Sequence, residues 1–163
     1  MKKTFVILVL GSALSLSAQG FRYGVQGALS VPANDLADNG NAGLQAGAHA
    51  QWDFRGGHVL MARADLTFYS QNHSTSVSDL AVGADYTYHF ERRQLGPYVL
   101  AGLSQQNYHT SFSDFSRNDA GLAIDLGAGY DLDRHLGLQA RYITNSFSSL
   151  TYSSLNLGVV YTF

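Results

Sequence analysis

The chain has 163 residues, ten basic and twelve acidic, for a formal net charge of −2, and no cysteine. This weak acidity excludes the clustered basic surface that nucleic-acid binding wants, and the missing thiols exclude a disulfide framework and a lipid-modified cysteine. Gly is frequent (17) and Pro rare (2), which is poor for helices but suits strands that bend.

Lys2 and Lys3, the only lysines, precede an apolar run from Phe5 to Leu10 that continues through Ala13 and Leu14. Small residues follow at Ser15, Ser17, Ala18 and Gly20. This charged, apolar, small-residue order predicts a secretory signal peptide over residues 1–20. Cleavage after Ser17, Ala18 or Gly20 fits. The apolar core is too short for a spanning helix. About 143 residues then remain, enough for one domain over 21–163.

Strand alternation fills that domain. Strand one, Phe21 to Val31, sets Phe21, Tyr23, Val25, Leu29 and Val31 on one face and Arg22, Gln26 and Ser30 on the other. Strand two, about 43–54, opposes Leu44, Ala46, Ala48, Ala50, Trp52 and Phe54 to Gln45, His49, Gln51 and Asp53. Arg55-Gly56-Gly57 predicts a tight turn, with glycine supplying positive φ. Strand three, about 58–69, sets Leu60, Ala62, Ala64, Leu66 and Phe68 against Met61, Arg63, Asp65 and Thr67. Strand four alternates most cleanly, with Leu80, Val82, Ala84, Tyr86, Tyr88 and Phe90 opposite Asp79, Asp85, Thr87 and His89. Strand five, about 97–107, directs Val99, Ala101 and Leu103 outward. Strands six and seven continue with Leu122 to Leu132 and Leu136 to Tyr142, and strand eight closes with Leu155, Leu157, Val159, Tyr161 and Phe163.

Successive side chains of a strand face opposite ways, so each segment has one apolar and one polar side. Eight such segments of about 10–12 residues match the length a tilted transmembrane strand needs. The predicted fold is therefore all-β, an eight-stranded antiparallel up-and-down transmembrane barrel with lipid outside and polar side chains within. A soluble sandwich or lipocalin-like barrel would carry charge on its outer face, and the apolar faces here have almost none.

Connections after strands two, four and six are short, and those after one, three, five and seven (roughly 32–42, 70–78, 108–119 and 145–151) are longer and polar. Short turns belong on the periplasmic side and long loops outside, so both termini are expected in the periplasm. Outward aromatics gather near the short-turn ends, as an interfacial girdle should, with Phe68, Tyr142 and Tyr152 expected in a thinner upper ring.

Two passages carry a family likeness. Gly96-Pro97-Tyr98-Val99-Leu100-Ala101-Gly102-Leu103 is similar to the start of the fifth strand, and Leu157-Gly158-Val159-Val160-Tyr161-Thr162-Phe163 to the terminal strand, of the small eight-stranded outer-membrane barrels. That family includes OmpA-type, OmpX-type and opacity-type proteins. The resemblance covers all of 21–163. It implies an outer-membrane location in a Gram-negative cell envelope, contact with outer-membrane lipids and lipopolysaccharide, and a monomer. It also makes Tyr161 and Phe163 the C-terminal signal read by the barrel-insertion machinery. Unlike OmpA-type proteins, the chain is expected to lack a peptidoglycan-binding domain, which argues against cell-wall tethering.

Counting from the turns, Arg63, Asp65, Asp85, Asp125 and Arg141 fall in one interior layer. The expectation is a structural charge network filling a lumen just wide enough for its own side chains, rather than a proton or ion path. Three acids against two arginines call for a further partner: His49, a water or a protonated Asp. No catalytic, cofactor or metal site is expected. Ala140-Arg141-Tyr142-Ile143-Thr144-Asn145-Ser146 resembles the lipid A deacylase motif but has Thr144 where the family has its catalytic His, so Ser146 lacks a base. An acyltransferase-like site would rest on His73, Ser74, Ser76 and Asp79, a weak grouping. His58, His89 and His135 lie near short turns and would hold a metal only if adjacent. The third loop offers Tyr108, Phe112, Phe115 and Arg117, types enriched at binding hot spots, as candidate surface contacts. The expected function is thus non-enzymatic, structural or in surface interaction. The alternatives are a lipid-modifying enzyme and a narrow ion-conducting barrel.

Overall fold

A computed structural model describes residues 20–37, 41–69, 76–91, 95–111, 116–147 and 150–163. The expected signal segment, His73, Ser74, Phe112 and Phe115 lie outside the described residues. Eight strands run in chain order: β1 Phe21–Asn34, β2 Gly43–Asp53, β3 His58–Tyr69, β4 Ser76–His89, β5 Gly96–Ser111, β6 Ser116–Asp131, β7 Leu136–Phe147 and β8 Leu150–Thr162. Each pairs antiparallel with the next, and β8 returns to β1 over Gly24↔Thr162 to Asn34↔Tyr152, closing the barrel. Closure leaves no sheet edge through the lipid-facing wall, the condition for a β structure in hydrocarbon.

The alternation sets the register. Leu44, Phe68 and Leu122 stand outside at 70%, 62% and 63% exposure, while Met61, Arg63, Asp65 and Thr67 of neighbouring β3 positions are buried within. A slip of one residue would exchange these faces wholesale. Large apolar side chains are therefore presented to lipid around the whole circumference, and the polar ones fill the centre.

At the short-turn end the outward aromatics contact one another. Tyr23 meets Phe163 at 5.6 Å between ring centroids, Trp52 meets Phe54 at 4.7 Å, and Tyr88 meets Phe90 edge-on at 5.5 Å. Such a belt suits the membrane–water interface. The β2–β3 turn closes through Phe54 N–H to His58 O at 2.9 Å, with Arg55 as well as Gly56 and Gly57 at positive φ (70°, 68° and 91°). In the β6–β7 turn, Asp133 Oδ1 accepts from the His135 and Leu136 amides at 2.7 and 2.8 Å. Those two bonds hold the Asp133 carboxyl below its ordinary pKa.

At the opposite end the strands are longer than expected and the loops correspondingly shorter. β5 reaches Ser111 and β6 begins at Ser116, so the expected loop 108–119 shrinks to four intervening residues. Tyr108 and Arg117 accordingly belong to strands. Polar residues there are outward-facing strand positions above the apolar belt, which a composition-based reading takes for loop. Tyr152 is also corrected: even-numbered residues of β8 face inward, and Tyr152 packs against an interior cluster instead of an outer ring.

Candidate functional site: a filled and layered lumen

The barrel interior is stacked in layers, each supplied by inward positions of several strands. At the short-turn end, His89 Nε2 pairs with Asp131 Oδ2 at 2.9 Å, and the His89 ring lies 5.0 Å from that of Tyr98. Gln139 Nε2 donates to Tyr98 Oη at 3.1 Å. Arg22 lies beside Gln51 here, whose Oε1 accepts from Arg22 Nη2 at 3.0 Å in the amide orientation that satisfies both groups.

The middle layer brings together all five predicted charges. Arg63 uses every face of its guanidinium: Nη1 to Asp65, Nη2 to Asp125, and Nε to Asp85 Oδ2 at 3.1 Å. Arg141 Nη2 reaches the same Asp85 oxygen at 2.7 Å. Asp85 is thereby shared between two arginines from β3 and β7. A planar fork meeting several carboxylates is what keeps a buried arginine tolerable. Gly47 and Gly102 make room for it, because a Cβ at either would collide with Asp65 Oδ1 or Asp85 Oδ1 respectively.

The further partner for the third acid is Gln26, whose amide donates to Asp65 Oδ1. His49, the side chain named for that role, instead bonds Thr162 Oγ1 at 3.3 Å through Nε2. Gln26 escaped notice because attention to formal charge passes over a neutral amide, although its inward parity on β1 was readable. Above the layer, Ser104 Oγ lies 3.2 Å from Asp125 Oδ1, and the wholly buried Gln106, in the amide orientation that satisfies both its neighbours, accepts from Ser104 Oγ at 2.9 Å and donates to Asp79 Oδ1 at 3.1 Å.

The far mouth is closed by an apolar cap that was not foreseen. Leu36, Tyr69, Val77 and Tyr108 form a buried cluster with Tyr152 packed against it, the Tyr108 and Tyr152 rings 5.1 Å apart. Tyr69 Oη accepts from Ser30 at 3.2 Å. Tyr108, expected as a surface contact, is 4% exposed and serves this cap, because its parity on the lengthened β5 points it inward. The sequence signal was there: Tyr108 continues the inward series of Tyr98, Ser104 and Gln106.

Of the side chains weighed for catalysis, those the structure describes are engaged elsewhere, while those of His73, Ser74, Ser76 and Ser146 lie outside the described set. Thr144 Oγ1 lies 3.0 Å from Ser153 Oγ, Asp79 is committed to the lumen, and His135 Nδ1 lies 2.7 Å from the Thr162 carbonyl oxygen. His58 pairs with the Tyr86 hydroxyl on the outer wall. Among the described residues no three His, Cys, Asp or Glu side chains lie close enough to hold a metal ion.

An apolar outer wall, an aromatic belt and a polar packed interior define an outer-membrane β-barrel. The sequence matches the outer membrane protein beta-barrel domain family over residues 4–163, and the chain belongs to that family. Among solved structures it is similar to Ail, the attachment invasion locus protein of Yersinia pestis (TM-score 0.63, 15% identity, 88% of this chain and 97% of that one). Neisserial surface protein A is comparably similar (0.60, 19%, 88% and 97%), as is the N-terminal barrel of Pseudomonas aeruginosa OprF (0.58, 19%, 89% and 98%). At these identities the likeness is one of fold. No curated protein sequence matches the chain.

Proposed function

We propose that this protein is a non-enzymatic outer-membrane barrel whose role is surface interaction, carried by a wall of β4, β5 and β6 that stands above the rest. The observation that carries this reading is a difference in pairing height. β5 and β6 pair up to Ser111↔Ser116, whereas the β6–β7 register starts only at Ala123↔Asn145. Residues 116–122 therefore pair with β5 alone among the described strands. The outward side chains of this hairpin, Gln105, Asn107, His109 and Asn118, are exposed and polar. Rigid polar surface above the membrane is the usual seat of recognition on such scaffolds.

In this reading residues 1–20 direct export, the short turns face the periplasm, and Tyr161 and Phe163 are the insertion signal of a monomeric barrel. The packed lumen and its apolar cap speak against conduction, and Thr144, standing where the deacylase motif has its histidine, speaks against deacylation. Ail has been crystallised with the heparin analogue sucrose octasulfate, so a barrel of this fold can take a sugar-like ligand. The test is to apply the refolded barrel to glycan and matrix-protein arrays. Binding that falls when Gln105, Asn107 and His109 are replaced by Ala supports the role. Lipid A whose mass changes with the gene, or unitary conductance in a planar bilayer, would replace it with one of the alternatives.

A further inference from the structure

Two small cavities in the lumen share a boundary. One, of about 40 Å³, lies at the short-turn mouth beside the exposed turn residues Asp133, Arg134 and His135. The other, of about 10 Å³, is bounded by Gln26, Arg141 and Asn156. Gln139 and Val160 line both. A volume of roughly 10–15 Å³ holds one water molecule, so the first has room for a few and the second for about one.

The inner cavity also has the right chemistry. Arg141 Nε–H, Gln26 Oε1 and Asn156 Oδ1 are buried and have no protein hydrogen-bond partner. A buried polar atom left without a partner loses its hydration uncompensated, so an occupant with complementary polarity is strongly favoured. One donor and two acceptors fall within what a single water, with two O–H donors and two lone pairs, can satisfy. A bare anion would meet two repelling oxygens, and a metal cation would meet the guanidinium.

We infer that the lumen contains a dead-ended water inlet, running from the short-turn mouth past Gln139 and Val160 to a bound water on Arg141 Nε. It ends there, because the Tyr69–Tyr108–Tyr152 cap shuts the far side. Its consequence is chemical asymmetry between the two buried arginines. Arg63 commits its Nε–H, and one N–H of each Nη, to carboxylates, whereas the Nε–H of Arg141 has no protein partner and is solvated from one direction.

The inlet is tested on the refolded barrel in micelles or nanodiscs by water-selective magnetisation transfer to arginine Nε–H resonances, with Arg141 assigned from its loss in Arg141→Lys. The expected result is a water cross-peak at Arg141 Nε–H and none at Arg63 Nε–H. Val160→Phe, which fills the neck between the cavities, should remove the Arg141 cross-peak while the Arg63 signal stays unchanged. Absence of the cross-peak in the native protein overturns the proposal whether or not that variant folds. Its persistence in a folded Val160→Phe barrel overturns the proposed route.

Discussion

The two halves of the lumen solve the same problem by different means. The β3–β6 half buries Arg63, Asp65, Asp85 and Asp125 and joins them by direct ion pairs. The β7–β8–β1–β2 half relies on neutral amides and hydroxyls (Gln26, Ser30, Ser154, Asn156), of which Gln26 and Asn156 line one cavity with Arg141. Among the described residues, unpartnered buried atoms gather on the second half, at Gln26, His49, Arg141, Asn145 and Asn156; the first has Asp85 Oδ1 and His89 Nδ1. Full charge pairing gives a dry, rigid wall whose members depend on each other. Amide lining leaves hydrogen-bonding capacity over, which water takes up at little cost.

The comparison is broken most directly at Arg63. Arg63→Ala takes the ion partner from Asp65 and Asp125 and one of two from Asp85, and removing one partner of a buried pair costs about 3–5 kcal/mol. Urea unfolding of the refolded barrel, followed by its gel-mobility shift, should show a loss in that range. If the cost is near zero, the charged half is not the rigid one. Arg141→Ala removes a single bond to Asp85 and should cost less, about 1–3 kcal/mol, with bilayer conductance unchanged. Nanosiemens steps from this variant would show that the amide half alone cannot keep the lumen shut.

Asn156→Leu sharpens the contrast from the other side. Its protein bond is a long one, 3.3 Å to Ser154, so the expected change is within about 1 kcal/mol by the same unfolding measurement. The smallest effect lies outside both halves. Asp133 has its pKa lowered by the two turn amides, so the turn is fully supported above the ordinary carboxylate value of about 3.9 and loses that support as pH falls through the folded value. A carboxyl-carbon titration should place the Asp133 midpoint below 3.9, and Asp133→Ala should abolish the signal without altering either half of the lumen.

What was legible in the sequence followed from period-two alternation. Once Leu60 and Leu66 face lipid, Arg63 and Asp65 must face in, and counting from the turns puts Asp85, Asp125 and Arg141 level with them. The height of the walls was hidden, because above the lipid an outward strand position has no reason to be apolar. Asn107 and His109 therefore look like loop residues, and Tyr108 between them lost the parity that places it in the cap. Gln26 was missed for a different reason: a neutral amide becomes a charge partner only through its neighbours across the sheet, which strand order reveals and composition does not. Of the other candidate surface contacts, Arg117 has its backbone in β6, and Phe112 and Phe115 lie outside the described residues.

The bond from Arg63 to Asp125 spans 62 positions of chain, and Asp85 is claimed by arginines on β3 and β7. A partly zipped sheet of the first four strands would hold Arg63 with Asp65 and Asp85 but without its third acid, while Arg141 waited on a strand not yet laid down. The full set of ion pairs is made only in the closed barrel, so the layer favours closure over any partly formed sheet, where the same charges would lack partners.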